Sequence, residues 1–256
     1  WTASPRRLGA VATVVVVAAL VTAATLTATR EPAAALRLLQ GDAWLANRLT
    51  GTVTHVQGYA KRTDAPARIA SPDDTFTIVQ RPGGAYILDT KTGVLTRVEG
   101  STLGVATSRQ MPGRPSGLRV STGGSATWVI DTSSGVVQQV DASTLEATRP
   151  QVALGAPVGS TATDGSGTLW AALPDQASVA QVDPLTDSVA RHRVGQAGDQ
   201  LQLVVTADGT WAVDPQAGTV VSLRDPNPVP APIPQTGLGA PAPVVASSKR
   251  VPPWWW

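Results

Sequence analysis

The chain has no cysteine, one methionine, one phenylalanine and two histidines among 256 residues. Without thiols there can be no disulfide framework, no cysteine-ligated metal and no thiol nucleophile, and the composition fits any redox compartment. Charge is scarce too, at 15% of the residues, where a globular chain carries about a quarter. The net balance of +2 is small for this length and gives no basic face for nucleic acid. Serines are plentiful, but no G-x-S-x-G elbow joins a strand to a helix, so a hydrolase triad has no support. Turn-forming residues are abundant, with 24 glycines and 21 prolines. Many fall between apolar positions, as in short strands joined by turns.

Five aromatic residues recur at nearly equal intervals: Trp44, Tyr86, Trp128, Trp170 and Trp211, spaced 42, 42, 42 and 41 apart. Seven positions after each stand Gly51, Gly93, Gly135, Ala177 and Gly218. Nine positions after stand Val53, Leu95, Val137, Val179 and Val220, and twelve after stand Val56, Val98, Val140, Val182 and Leu223. A period near 42 with strand-like content predicts propeller blades, small sheets that bury their faces against their neighbours. The fold class expected is therefore all-β: a β-propeller of five, or six with the last truncated, four-stranded blades. The aromatics' identical place in each repeat assigns them to packing between adjacent sheets rather than to a carbohydrate platform.

The fourth repeat, Val158 to Gly195, parses into strands at Ser160–Ala162, Leu169–Leu173, Val179–Val182 and Ser188–Val194. The turn Asp164-Gly165-Ser166-Gly167 separates the first two, and Asp183-Pro184-Leu185-Thr186-Asp187 the last two. First strands are expected in phase at Phe76–Val79, Leu118–Val120 and Leu201–Val205. Asp89 to Gly93, Asp131 to Gly135 and Asp214 to Gly218 read as one hairpin, with an Asp bonding its own turn amides and a Gly in the left-handed position. These residues resemble the YVTN and NHL-like bacterial propeller repeats, typified by "DG-x-LW-x-A … V-x-x-ID-P-x-T". The likeness spans about residues 41 to 225. The N-terminal apolar segment plus this propeller is also similar to membrane-anchored surface proteins whose propeller precedes fibronectin type III repeats. That resemblance implies that the chain is the front part of something longer.

No charged residue occurs from Leu8 to Thr29, between Arg6-Arg7 and Arg30. About 20 apolar residues cross a bilayer as a helix, so residues 8–29 are expected to form one transmembrane signal anchor. A cleaved signal peptide is the alternative, with small residues near Val21-Thr22-Ala23. The cationic flank keeps residues 1–7 cytoplasmic and the bulk of the chain outside a single-pass cell membrane. A juxtamembrane stalk (30–40), propeller repeats (41–225) and a Pro-rich connector with a partial sixth repeat (226–256) complete the expected organisation. Leu238-Gly239-Ala240-Pro241 repeats Leu154-Gly155-Ala156-Pro157, each sixteen residues before a Trp. Val244–Ala246 then either opens a sixth blade or pairs back onto the first blade, which begins at its second strand, and closes a five-bladed ring.

The catalytic inventory is thin. His55 shares its repeat position with Arg97, Gln139, Gln181 and Ser222, all polar, and is expected to face solvent. His192 lies between Arg191 and Arg193, which disfavour its protonated form and repel a metal. Streptogramin lyases, which share this type of propeller, use a histidine base, a metal and an acidic partner; no His/Glu grouping here matches theirs. Leu88-Asp89-Thr90-Lys91-Thr92-Gly93 resembles the quinoprotein "LDxxTG" repeat, but Arg97 and Gln139 stand where its stacking Trp belongs. Asp89, Asp131 and Asp214 could form a calcium ring, although each already fits a turn. No catalytic, cofactor-binding or metal-binding residue is therefore assigned, and no cofactor. The basic, Gly/Pro-rich stretch Ser108 to Pro115 is the expected ligand-facing loop. The function expected is a non-catalytic binding or scaffolding module at the bacterial cell surface, with a surface protein or wall polymer as partner and the membrane held by the N-terminal helix. A lyase-like, metal-dependent enzyme is the alternative.

Overall fold

The computed structural model describes residues 42–233, apart from 58–61, 65, 70–74, 156 and 226–228. The expected transmembrane segment at 8–29, the stalk at 30–40 and the closing strand Val244–Ala246 lie outside the described residues. The described residues form five four-stranded antiparallel sheets in chain order. The first contains β1 (Asp42–Asn47), β2 (Thr52–Gln57), β3 (Arg62–Thr63) and β4 (Ala67–Arg68), with both short strands paired to β2. The second is β5 (Phe76–Arg81), β6 (Gly84–Asp89), β7 (Val94–Glu99) and β8 (Val105–Gln110). The third is β9 (Leu118–Gly123), β10 (Ala126–Asp131), β11 (Val136–Val140) and β12 (Val152–Ala153). The fourth is β13 (Thr161–Thr163), β14 (Leu169–Leu173), β15 (Ser178–Val182) and β16 (Val189–Arg193). The fifth is β17 (Gln202–Thr206), β18 (Gly209–Asp214), β19 (Thr219–Ser222) and β20 (Ala231–Pro232).

Every aromatic of the repeat sits on the second strand of its blade, or on β1, the equivalent strand of the first sheet. Trp44 on β1 pairs with His55 on the next strand, as Trp128 on β10 pairs with Gln139. Thus the first sheet starts at its second strand, as the repeat phase indicates. The strands of repeat four fall within a residue or two of expectation, and β5 and β9 run on to Arg81 and Gly123. The stretch read as a connector contributes a ladder. Ala231–Pro232 lies against Val220 and Thr219, and the Ile233 amide donates to the Gly218 carbonyl at 2.8 Å. The outer strand of blade five thus comes from beyond residue 225, because the ring of Pro232 fixes a φ that an extended strand also uses.

Adjacent blades are joined by apolar clusters that hold the first four repeat aromatics against the sheet that follows. Trp44 and Val53 meet Phe76, Ala85 and Ile87; Tyr86, Leu88 and Leu95 meet Leu118 and Val129. Trp128 and Ile130 meet Leu169, Ala171 and Ala180; Trp170 and Val179 meet Leu201, Ala212 and Val221. The strands nearest one another across these joints are β1 and β5, β5 and β9, β9 and β13, and β13 and β17. From blade two to blade five the first strands thus succeed one another across the joints, and β1 takes that place in the first sheet. Polar tips are satisfied within the joints. The Trp128 indole donates to the Gly167 carbonyl at 2.9 Å, the Trp170 indole to Asp164 at 3.0 Å and the Tyr86 hydroxyl to the Ala142 carbonyl at 2.7 Å. Backbones also approach closely here: a Cβ on Gly123 would stand 2.3 Å from the Asp164 carbonyl oxygen.

Trp128 is wholly buried, whereas Trp211 on the last sheet is half-buried, and among the described residues no apolar cluster links blade five to blade one. Trp128→Ala is expected to cost about 3–5 kcal/mol, as for large aromatic truncations in a core, and Trp211→Ala a small fraction of that. Urea unfolding midpoints of the two variants measure the difference; equal losses would mean that the aromatics do not act through the next blade.

Candidate functional site

The repeated acidic residues are bound to their own turns. The Asp89 carboxylate accepts from the Lys91 amide at 2.7 Å and from the Thr92 hydroxyl at 2.6 Å. Asp131 accepts from the Ser133 amide and hydroxyl at 3.0 and 2.6 Å and, on its other oxygen, from the Arg114 amide at 3.2 Å. Asp214 accepts from the Gln216 and Ala217 amides, both at 2.9 Å. The turns end in the left-handed region, with φ of 79° at Gly93, 70° at Gly135 and 63° at Gly218. Ala177 holds the same place in blade four with φ 48°. Burial pushes the Asp131 carboxyl up, but the Ser133 hydroxyl and the Arg114 amide outweigh it and bring its pKa down to about 2. The same contest lowers Asp89 and Asp164, while hydrogen bonds led by the Ser143 hydroxyl lower Asp141. These side chains hold hairpins and are not set out around a shared cation. Among the described residues no group of three or more His, Asp or Glu side chains could hold a metal ion.

His55 does not face solvent. It is 6% exposed, its Nδ1 lies 2.9 Å from Asp64 Oδ2, and its ring stacks obliquely on Trp44 with centroids 4.8 Å apart. The reason lies in the pairing register. His55, Arg97, Gln139, Gln181 and Ser222 are the direct cross-strand partners of the five repeat aromatics. Directly opposed residues share one face, so a polar residue opposite an interface Trp is carried into the same joint. His192 packs on Trp170 at 5.5 Å and meets Gln181 Oε1 through Nε2 at 3.0 Å. Burial is what lowers its pKa, whereas the flanking arginines project from the opposite side of the strand. The two histidines thus sit in separate joints.

The stretch Ser108 to Pro115 is also more constrained than a free loop. Ser108 to Gln110 end β8, Arg109 pairs with Glu146 at 2.7 Å, and Met111 is buried between blades two and three. An apolar side chain at the strand end pins the turn that follows. Beside that turn, Gly113, Asp131 and Gln151 help line a small hollow of about 140 Å³. A larger open cleft of about 540 Å³ lies at the rim of blade four, lined by Asp175, Gln176, Ser178, Arg191, Arg193 and Gln196 among others. No repeated column of the sequence marks this cleft; its one sequence signal is the pair of arginines flanking His192.

No family model matches this chain, and no curated protein sequence does. Solved structures share its fold. A catalytically inactive virginiamycin B lyase from Staphylococcus aureus, bound to quinupristin, superposes with a TM-score of 0.62 at 11% identity, over 78% of this chain and 70% of the lyase. Dihydro-heme d1 dehydrogenase NirN gives 0.60 at 17% identity, over 80% of this chain and 46% of NirN. BamB from Moraxella catarrhalis gives 0.53 at 17%, over 73% and 59%. The chain is a propeller-repeat protein. At these identities the likeness carries the fold and nothing of the chemistry.

The depressed Asp131 carboxyl sets a pH dependence. A carboxylate held below its unfolded value stabilises the fold fully above about pH 4, and that contribution is lost as pH falls toward 2. Asp131→Asn is expected to cost on the order of 1–2 kcal/mol at pH 7 and to flatten the loss of stability between pH 4 and 2. Urea titrations at pH 7, 4 and 2.5 read both effects; an unchanged acid slope would contradict the assignment.

Proposed function

We propose that this chain is a non-catalytic binding or scaffolding propeller displayed outside the cell, held to the membrane by residues 8–29. The observation that carries the reading is where its chemistry-bearing side chains are spent. Both histidines are packed on tryptophans inside blade joints, and the recurrent aspartates are bonded to their own turns. The surface left to meet a partner is then that of the loops and outer strands at the blade rims, where scaffolds commonly carry recognition. The likeness to BamB is compatible with a scaffold. The likeness of repeats and anchor to surface proteins with fibronectin type III repeats supports a cell-surface partner, either a protein or a wall polymer.

A lyase-like enzyme is the competing reading, favoured by the fold likeness to virginiamycin B lyase, one structure of which holds quinupristin. The deciding experiment combines fractionation with a turnover assay. The native protein is expected in the membrane fraction, and quinupristin incubated with it and a divalent metal is expected to stay intact. A shortened species in the medium would overturn the anchor. Conversion of quinupristin, abolished by His192→Ala, would overturn the non-catalytic reading.

A further inference from the structure

The cleft at the rim of blade four is built unlike the corresponding surface of its neighbours. Ser178 and Arg193 are direct cross-strand partners, as are Ala180 and Arg191, so both arginines and the serine stand on one face of the sheet. Arg191 is fixed in place, its Nη2 donating to the Leu154 carbonyl at 2.8 Å. Arg193 is exposed and has no partner among the described residues. Ser178 is 6% exposed, and its hydroxyl has no hydrogen-bond partner. A buried hydroxyl left unpaired costs about 1–3 kcal/mol, and here it lies at the wall of the cleft, beside the arginine opposite it. The next residue back, Ala177, adopts a left-handed φ of 48° where the other repeats have glycine, which sets the start of β15 against this wall.

We propose that this cleft binds the carboxylate of an organic monoanion. The planar Arg193 guanidinium takes both oxygens, Arg191 adds a pre-positioned second cation, and the unpaired Ser178 hydroxyl at the cleft wall donates a further hydrogen bond. Three features select a carboxylate over a phosphate. Asp175 at the rim brings the lining's formal charge to +1, matching a single negative charge. Asp199, whose carboxylate accepts from the Gln196 amide at 2.6 Å, adds further negative potential nearby. Finally, a volume of about 540 Å³ exceeds a bare ion and lies within the range of small-molecule sites. This site gives the binding-module reading its ligand chemistry and rests on that reading.

The test is isothermal titration of the full chain with N-acetyl-alanyl-alanine, its C-terminal amide, propionate and inorganic phosphate. The expected result is binding of the acetylated dipeptide, of propionate or of both, with the amide at least tenfold weaker. The dipeptide alone identifies a peptide end as the source, and equal binding of propionate identifies any small carboxylate. Arg193→Gln is expected to lose at least tenfold, with Arg193→Lys between it and the wild type, because charge survives but the planar fork does not. Ser178→Ala is expected to weaken binding about threefold without lowering the unfolding midpoint; Arg68→Gln, exposed on the first sheet, should change nothing. The proposal is overturned by equal binding of dipeptide and amide, by tighter binding of phosphate, or by an unaltered Arg193→Gln. An unaltered Ser178→Ala removes the hydroxyl from the site. If no carboxylate binds while the chain still resides in the membrane fraction and leaves quinupristin intact, the site fails and the binding-module reading survives. Quinupristin turnover with no carboxylate binding would instead remove both.

Discussion

A four-stranded sheet has two faces, and in a propeller each face can leave water only against another sheet. The contact of one aromatic side chain with the following blade is how this chain meets that constraint. Trp44, Tyr86, Trp128 and Trp170 each reach across a joint; Tyr86 and Trp128 also place a polar tip on the far side, at Ala142 and Gly167, while the Trp170 indole is held by Asp164 in a turn of its own blade. Strand length, turn type and the order of the sheets follow from keeping those contacts in register. A blade alone would leave an aromatic face exposed, so stability is shared between neighbours in the manner of repeat proteins generally.

The same constraint explains what was legible in the sequence. An element that must recur at every joint leaves a period, and the aromatics, the left-handed turn position and the apolar second and third strands all appear as columns 42 residues apart. The start of the first sheet at its second strand was legible for the same reason. What the columns do not reveal is facing. His55 and its equivalents are polar, which reads as solvent exposure, but antiparallel pairing sets them beside the aromatics inside the joints. Pairing between strands decides that placement, and a single-repeat pattern does not contain it. Likewise the alternating prolines from Pro226 to Pro234 read as a spacer, because the strand at Ala231–Pro232 shows only through its pairing with β19.

The candidate site illustrates the complementary case. Arg191 and Arg193 belong to no column, and their significance comes from Ser178 opposite them and from the Leu154 carbonyl of the preceding blade. Rim residues that vary among repeats carry no part of the recurring framework, and these are the ones available for recognition. A signal built from differences between repeats is faint in one sequence and becomes visible only when cross-strand neighbours are known.

The proline in β20 has a consequence for solubility. The Ile233 amide points inward to Gly218, so the alternation of an antiparallel ladder turns the nitrogen of Pro232 away from β19, toward the side of blade five that pairs with no other described strand. That nitrogen carries no hydrogen. A foreign strand approaching this border would find no donor there and a ring in its path, which blunts sheet-to-sheet aggregation where the last blade ends. Pro232 thus serves as a gatekeeper for the border that its strand builds.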